Sequence, residues 1–143
     1  MKKLMTDCLL PYPIEAVWKV IADTGTHSLW NPQIVSIKGE CRKGSSLSVR
    51  VKSPVGNGIP FCFKAKVLEF DPNRKLAWTG GVPGILTGYH YWELTDLGDT
   101  TKVVQGEQFS GLFTAFLSTK RMEAMRPAYE SANSGLESYL KGR

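Results

Sequence analysis

Residues 78–112, WTGGVPGILTGYHYWELTDLGDTTKVVQGEQFSGL, hold the reading that decides the fold. Two alternating segments, 88–94 and 100–109, meet at Leu97-Gly98-Asp99, a hairpin-like connection. Strand alternation sets His90, Trp92 and Leu94 on one face of the first segment. It sets Val103, Gln105, Glu107 and Phe109 on one face of the second. A turn centred on Gly98-Asp99 places His90 opposite Glu107 and Trp92 opposite Gln105, a register that a one-residue bulge would shift. Trp78 joins the same face. A closed core excludes the ionisable groups, and a solvent face does not favour the tryptophans. The wall of a cavity accommodates both, so ligand binding is the expected function.

Upstream of this stretch, residues 1–10 read as a first strand ending at Pro11-Tyr12-Pro13. Ile14, Val17, Trp18 and Ile21 recur at helical spacing, with Pro13 suited to the helix start. Residues 23–30 are turn-rich, with a second short helix expected around 27–29, and Trp30-Asn31-Pro32 stops it. Segments 34–38, 47–52 and 61–67 alternate as strands, separated by a loop over 53–60, which holds two glycines and two prolines. Asp71-Pro72-Asn73-Arg74 is a turn signal, after which Leu76 and Trp78 continue the inner face. The tail is expected to be one long helix carrying an apolar stripe from Phe113 through Met122, Met125 and Tyr129 to Leu140, kinked or broken near Pro127. Strands joined by short turns give an antiparallel sheet, and the C-terminal helix is the element long enough to cover it. The expected fold class is α+β, with six to seven strands.

The bulk composition fits one domain over residues 1–143. Hydrophobic residues make up 42% and charged residues 22%, and the net charge is +5. The basic residues are scattered, without a dense run or a nucleic-acid motif, and read as a solvated face; no nucleic-acid partner is expected. Cys8, Cys41 and Cys62 form no paired or metal-binding spacing and read as reduced thiols of a cytoplasmic protein. No secretory signal and no run long enough to span a membrane is read, so integral membrane association is not expected. His27 and His90 lack ligand spacing, and the glycines at 80, 81, 84 and 88 do not precede a helix as a phosphate loop does. Neither a metal nor another cofactor is expected.

The matching text spreads along the chain: Pro13-Ile14-Glu15-Ala16-Val17-Trp18, Leu29-Trp30-Asn31-Pro32, Leu76-x-Trp78, Gly88-x-His90-x-Trp92-x-Leu94 and Glu107-x-Phe109-Ser110-Gly111. In this order it resembles the START and birch-pollen-allergen superfamily (SRPBCC), and within it the polyketide cyclase/dehydrase-like group. The resemblance implies a helix-grip fold, a curved antiparallel sheet wrapped round a long C-terminal helix with a hydrophobic cavity between them. It also implies a lipid-like or polyketide-like ligand for the cavity, and activities that range from binding to cyclisation, dehydration and chaperone activation. Because one fold serves many functions, the site has to be argued separately.

The candidate cavity residues are Trp30, Phe63, Trp78, His90, Trp92, Gln105, Glu107, Phe113, Met122, Met125 and Tyr129. Met122 and Met125 suit a cavity wall because a flexible thioether fills irregular gaps. His90 and Glu107 are the candidate acid/base residues of an enzyme reading. Each has a structural alternative: His90 bonded to a backbone carbonyl, and Glu107 paired with Arg121 or Arg126 or with a lysine near the sheet end. A third reading is an interaction module, which Tyr89 and Tyr91 on the outer face would serve if exposed. The expected partner is a small hydrophobic molecule, and the expected state a monomer or homodimer.

Overall fold

The computed structural model describes residues 1–52 and 59–143. The chain runs β1 (Lys2–Leu10), α1 (Ile14–Ala22), a 3₁₀ turn (Thr24–Thr26), α2 (His27–Trp30), β2 (Ile34–Lys38), β3 (Ser46–Lys52) and β4 (Pro60–Asp71). It continues with β5 (Lys75–Val82), β6 (Leu86–Asp96), β7 (Thr101–Ser110), a second 3₁₀ turn (Leu112–Phe116) and α3 (Thr119–Lys141). The expected loop over 53–60 falls mostly outside the described residues; its last position, Pro60, opens β4.

The seven strands form one sheet in the order β1-β7-β6-β5-β4-β3-β2, antiparallel throughout. Successive strands from β2 to β7 are neighbours, as short turns dictate. β1 closes the far edge beside β7, with Thr6 opposite Gln105. The hairpin register is the one the alternation predicts, His90 opposite Glu107 and Trp92 opposite Gln105. This is the helix-grip arrangement, with α3 across the concave face and α1 and α2 filling one end.

Burial follows the alternation. Leu47, Val49, Ala65, Val67, Leu76, Trp78, Trp92, Leu94 and Val103 point inward. They meet Val17, Trp18 and Ile21 of α1 and Ala132, Leu136 and Leu140 of α3 in one core. Each fully buried Val- to Trp-sized side chain stabilises the fold by roughly 1.5–3 kcal/mol relative to exposure.

The tail departs from the expected stripe in two respects. Gly111 adopts φ 110, and Ser118 is an extended N-cap whose hydroxyl accepts from the Arg121 N–H at 3.2 Å. A backbone stop followed by a capping serine starts the helix at Thr119. Phe113 and Phe116 therefore sit on the 3₁₀ turn, half-exposed or more, and do not join the buried stripe. Pro127 does not break α3, which is a single element from Thr119 to Lys141. Both Pro127 and Glu123, whose carbonyl loses its helical partner there, lie on the exposed face, where water can satisfy that oxygen.

Tyr89 and Tyr91 are half-buried on the outer face. The Lys75 ammonium lies 5.6 and 5.3 Å from their ring centroids, and the Tyr89 hydroxyl donates to Glu69. That pair is occupied within the chain and offers no open apolar patch. The three cysteines are free thiols. Among the described residues, no helix is long and apolar enough to cross a membrane.

Candidate ligand cavity

Between the sheet and α3 lies a cavity of about 460 Å³, within the range of small-molecule sites. Its shape follows from three cross-strand rows on the inner face. The deepest is Leu76, Trp92, Gln105 and Thr6; the middle is Val67, Trp78, His90, Glu107 and Leu4. The third is Ala65, Gly80, Gly88 and Phe109, so two paired glycines stand where large side chains would otherwise fill the concavity. A Cβ at Gly80 would come 2.6 Å from the Phe63 ring, and one at Gly88 2.7 Å from Glu107 Oε2. The missing side chains leave room for Phe63 and the Glu107 carboxylate to lie over bare backbone.

Three polar side chains converge on the cavity. His90 Nδ1 is 3.0 Å from Glu107 Oε1, and the Tyr129 hydroxyl donates to the same oxygen at 3.2 Å. The His90 and Glu107 side chains retain 13% and 14% of their exposure, so both stay accessible from the cavity. An ionised carboxylate only accepts, so the Nδ1 facing it carries the proton and Nε2 is left as the polar edge of the ring. The imidazole lies nearly parallel to Trp78 (centroids 5.7 Å, 22°) and Tyr129 (5.8 Å, 24°), and edge-on to Trp92 at 4.3 Å. These rings hold its orientation. Burial raises the Tyr129 phenol well above its ordinary pKa, with the neighbouring Glu107 carboxylate adding to the effect. The phenol remains a donor at neutral pH.

Beneath this triad a second polar set is closed. Gln105 Nε2 donates to Asn133 Oδ1 at 2.8 Å and to the Tyr129 carbonyl at 3.3 Å. Asn133 Nδ2 donates to Thr6 Oγ1 at 2.9 Å, and that hydroxyl donates to the Gln105 carbonyl at 3.2 Å. The set ties β1, β7 and α3 together at the cavity floor.

Of the sequence candidates, Phe63, Trp78, His90, Trp92, Gln105, Glu107, Met125 and Tyr129 line the cavity. Three do not. Trp30 is buried against His27, with ring centroids 4.7 Å apart, because α2 turns it into the core. Met122 packs with Leu4 and Met125 in a smaller cluster, one helical turn N-terminal to the cavity-lining Met125. Phe113 is 50% exposed, since it precedes α3. Glu107 has neither of the arginine partners considered for it: Arg126 pairs with Glu123 at 2.7 Å, and Arg121 donates to the Phe116 carbonyl. Two residues of consequence are not among the sequence candidates. Asn133 stands four positions after Tyr129, on the same helix face, a spacing that was there to be used. His27 is fully buried beneath the cavity, its Nε2 2.7 Å from the Ile21 carbonyl oxygen and its ring 5.2 Å from Trp92. Burial pulls its pKa down to about 4, so it is neutral. Among the described residues no group of three or more His, Cys, Asp or Glu could hold a metal ion.

Residues 3–141 match the family described as polyketide cyclase / dehydrase and lipid transport. Solved structures similar in fold include a START superfamily protein from Mycobacterium smegmatis, with a TM-score of 0.81 and 14% identity over 98% of this chain and 97% of that one. TTHA0849 from Thermus thermophilus has a TM-score of 0.77 and 18% identity over 99% and 98%. Ara h 8.0201 has a TM-score of 0.74 and 17% identity over 99% of both chains. At these identities the likeness is one of fold. No curated protein matches the sequence significantly.

Proposed function

The chain belongs to the polyketide cyclase / dehydrase and lipid transport family, and from that membership we propose that it binds a small, largely apolar molecule carrying a hydroxyl or carbonyl group. The observation that carries the reading is the mixed wall of the cavity. Trp78, Trp92, Phe63 and Met125 supply apolar surface, and His90, Glu107 and Tyr129 form a three-membered polar convergence upon it. A ligand that buries about 200 Å² of apolar surface gains roughly 5 kcal/mol from desolvation. The free Nε2 of His90 then accepts from a ligand hydroxyl or, when protonated, donates to a carbonyl, and this fixes the ligand's orientation.

Native mass spectrometry of the purified protein tests the reading. A small molecule released on denaturation is expected from the wild type and absent from Ala128→Trp, which fills the cavity from α3. If folded wild type and Ala128→Trp carry and take up an apolar fluorescent probe equally, the cavity is not the binding site.

The 3.0 Å contact between His90 and Glu107 favours one further reading, acid–base catalysis on a polyketide-like substrate. In it, Glu107 holds the imidazole tautomer and His90 Nε2 moves the proton. His90→Gln then abolishes turnover and leaves ligand affinity within a few-fold. Loss of both together supports binding alone.

A further inference from the structure

The sheet gathers charges that are scattered in sequence. The N-terminal ends of β1, β4 and β6 and the C-terminal ends of β3, β5 and β7 lie together, next to the start of α3. Among the described residues, those that reach this end are 1–4, 34–36, 50–52, 59–64, 79–90 and 107–122. They hold a single carboxylate, Glu107, which is turned into the cavity. They also hold Lys2, Lys3, Arg50, Lys52, Lys64, Lys120 and Arg121. Glu123, the next acidic residue along α3, is held by Arg126. At the opposite end acids and bases alternate: Asp71 pairs with Arg74 and Glu93 with Lys75, while Asp96 and Asp99 flank the β6–β7 turn.

The cationic end is also the apolar one. Val82 and Ile85 at the β5–β6 turn are 56% and 43% exposed; Leu112 and Phe116 on the following 3₁₀ turn are 81% and 64% exposed. The two turns are one surface, joined by the Phe113 N–H donating to the Ile85 carbonyl at 2.9 Å and the Leu112 N–H donating to that of Gly84 at 3.1 Å. Arg121 borders it directly, its guanidinium on the Phe116 carbonyl, and Lys2 reaches the Leu117 carbonyl. Phe61, Gly81, Leu86 and Leu117, which line the cavity, open onto the same end. Trp92 and Gln105, at the other end of the cavity, are fully buried.

We propose that this end docks on an anionic lipid bilayer, with Leu112, Phe116, Val82 and Ile85 entering the interface and the surrounding lysines and arginines meeting the headgroups. Protruding apolar side chains ringed by cations match a negatively charged surface with an apolar interior. A second copy of the chain does not match, because it would bring the same cations face to face. The arrangement faces the cavity mouth towards the membrane, and it holds whatever ligand the cavity takes.

The test is co-sedimentation with vesicles of phosphatidylcholine alone and of phosphatidylcholine containing phosphatidylserine, in low and high salt. The wild type is expected to sediment with the anionic vesicles in low salt, to lose most of this in high salt, and to ignore the neutral ones. Leu112→Ser/Phe116→Ser and Lys64→Glu/Lys120→Glu, with unchanged circular dichroism, are each expected to weaken partitioning about tenfold or more. Equal binding by the wild type and Leu112→Ser/Phe116→Ser overturns the proposal, as does equal binding to both vesicle types. A wild-type dimer that Leu112→Ser/Phe116→Ser abolishes, without vesicle binding, assigns the face to self-association and overturns it as well. No cavity ligand enters this assay, so its failure and that of the binding reading are separate events.

Discussion

Replacing Gly135 by alanine puts a methyl group where α3 crosses α2. In an isolated helix the change stabilises by about 0.8–1 kcal/mol, because glycine is the poorer helix former. Here a Cβ would overlap the Trp30 carbonyl oxygen and stand 2.9 Å from its carbonyl carbon. That carbonyl is backbone at the end of a four-residue helix followed by Asn31-Pro32, and it has no rotamer to yield. The helix must instead retreat by roughly 1 Å, loosening Ala132, Asn133 and Leu136, all buried beside it. Overpacking of this kind costs about 1–3 kcal/mol, and a clash with immovable backbone falls at the top of that range. After the helical gain, Gly135→Ala is expected to be about 2 kcal/mol less stable, a fall in Tm of roughly 6–8 °C. Urea denaturation and calorimetry measure it, with Gly142→Ala as the control. There the nearest atoms to a new Cβ are 3.7 and 3.8 Å away, and a change within about 0.5 kcal/mol is expected. A Gly135→Ala protein as stable as the wild type would refute the close approach of α3 to α2, and with it the placement of α3 over the cavity.

Asn133→Ala strips the buried Gln105 amide and Thr6 hydroxyl of partners, and is expected to lower stability by about 1–3 kcal/mol in urea titration; an unchanged midpoint would remove the closed polar floor. His27, with its pKa lowered to about 4, binds its proton more weakly in the folded chain than in the unfolded one. Its contribution, on the order of 3 kcal/mol, is complete above about pH 6.5 and is lost as pH falls through about 4. NMR titration of its ring protons is expected to show the neutral form down to about pH 5, and an ordinary titration midpoint near 6.5 would contradict its placement in the core.

The hairpin was legible because two local rules fixed it: strand alternation chose the faces and the Gly98-Asp99 turn chose the register. His90 and Glu107 could be paired from sequence for that reason. Tyr129 was legible as a cavity residue but not as a partner of Glu107. Its bond to Glu107 depends on the depth and rotation of α3, which are set by non-local contacts at Gly135 and Asn133. The helix start was misjudged because Phe113 and Phe116 keep the helical spacing of the real stripe, while Gly111 and Ser118, which end one element and begin the next, leave no mark on hydrophobic periodicity. Trp30 went to the core because a four-residue helix decides its direction, and short helices carry too little pattern to give a face.

The pairing of β1 with β7 also governs when the protein can fold. Thr6 finds Gln105 only after nearly a hundred intervening residues have been made, and the loop they close is the largest entropy cost in the topology. Until then the ribosome holds a chain with an open sheet edge and no covering helix, its tryptophans facing water. Assembly of this fold therefore falls at the end of synthesis, and the last turns of α3 complete the cavity.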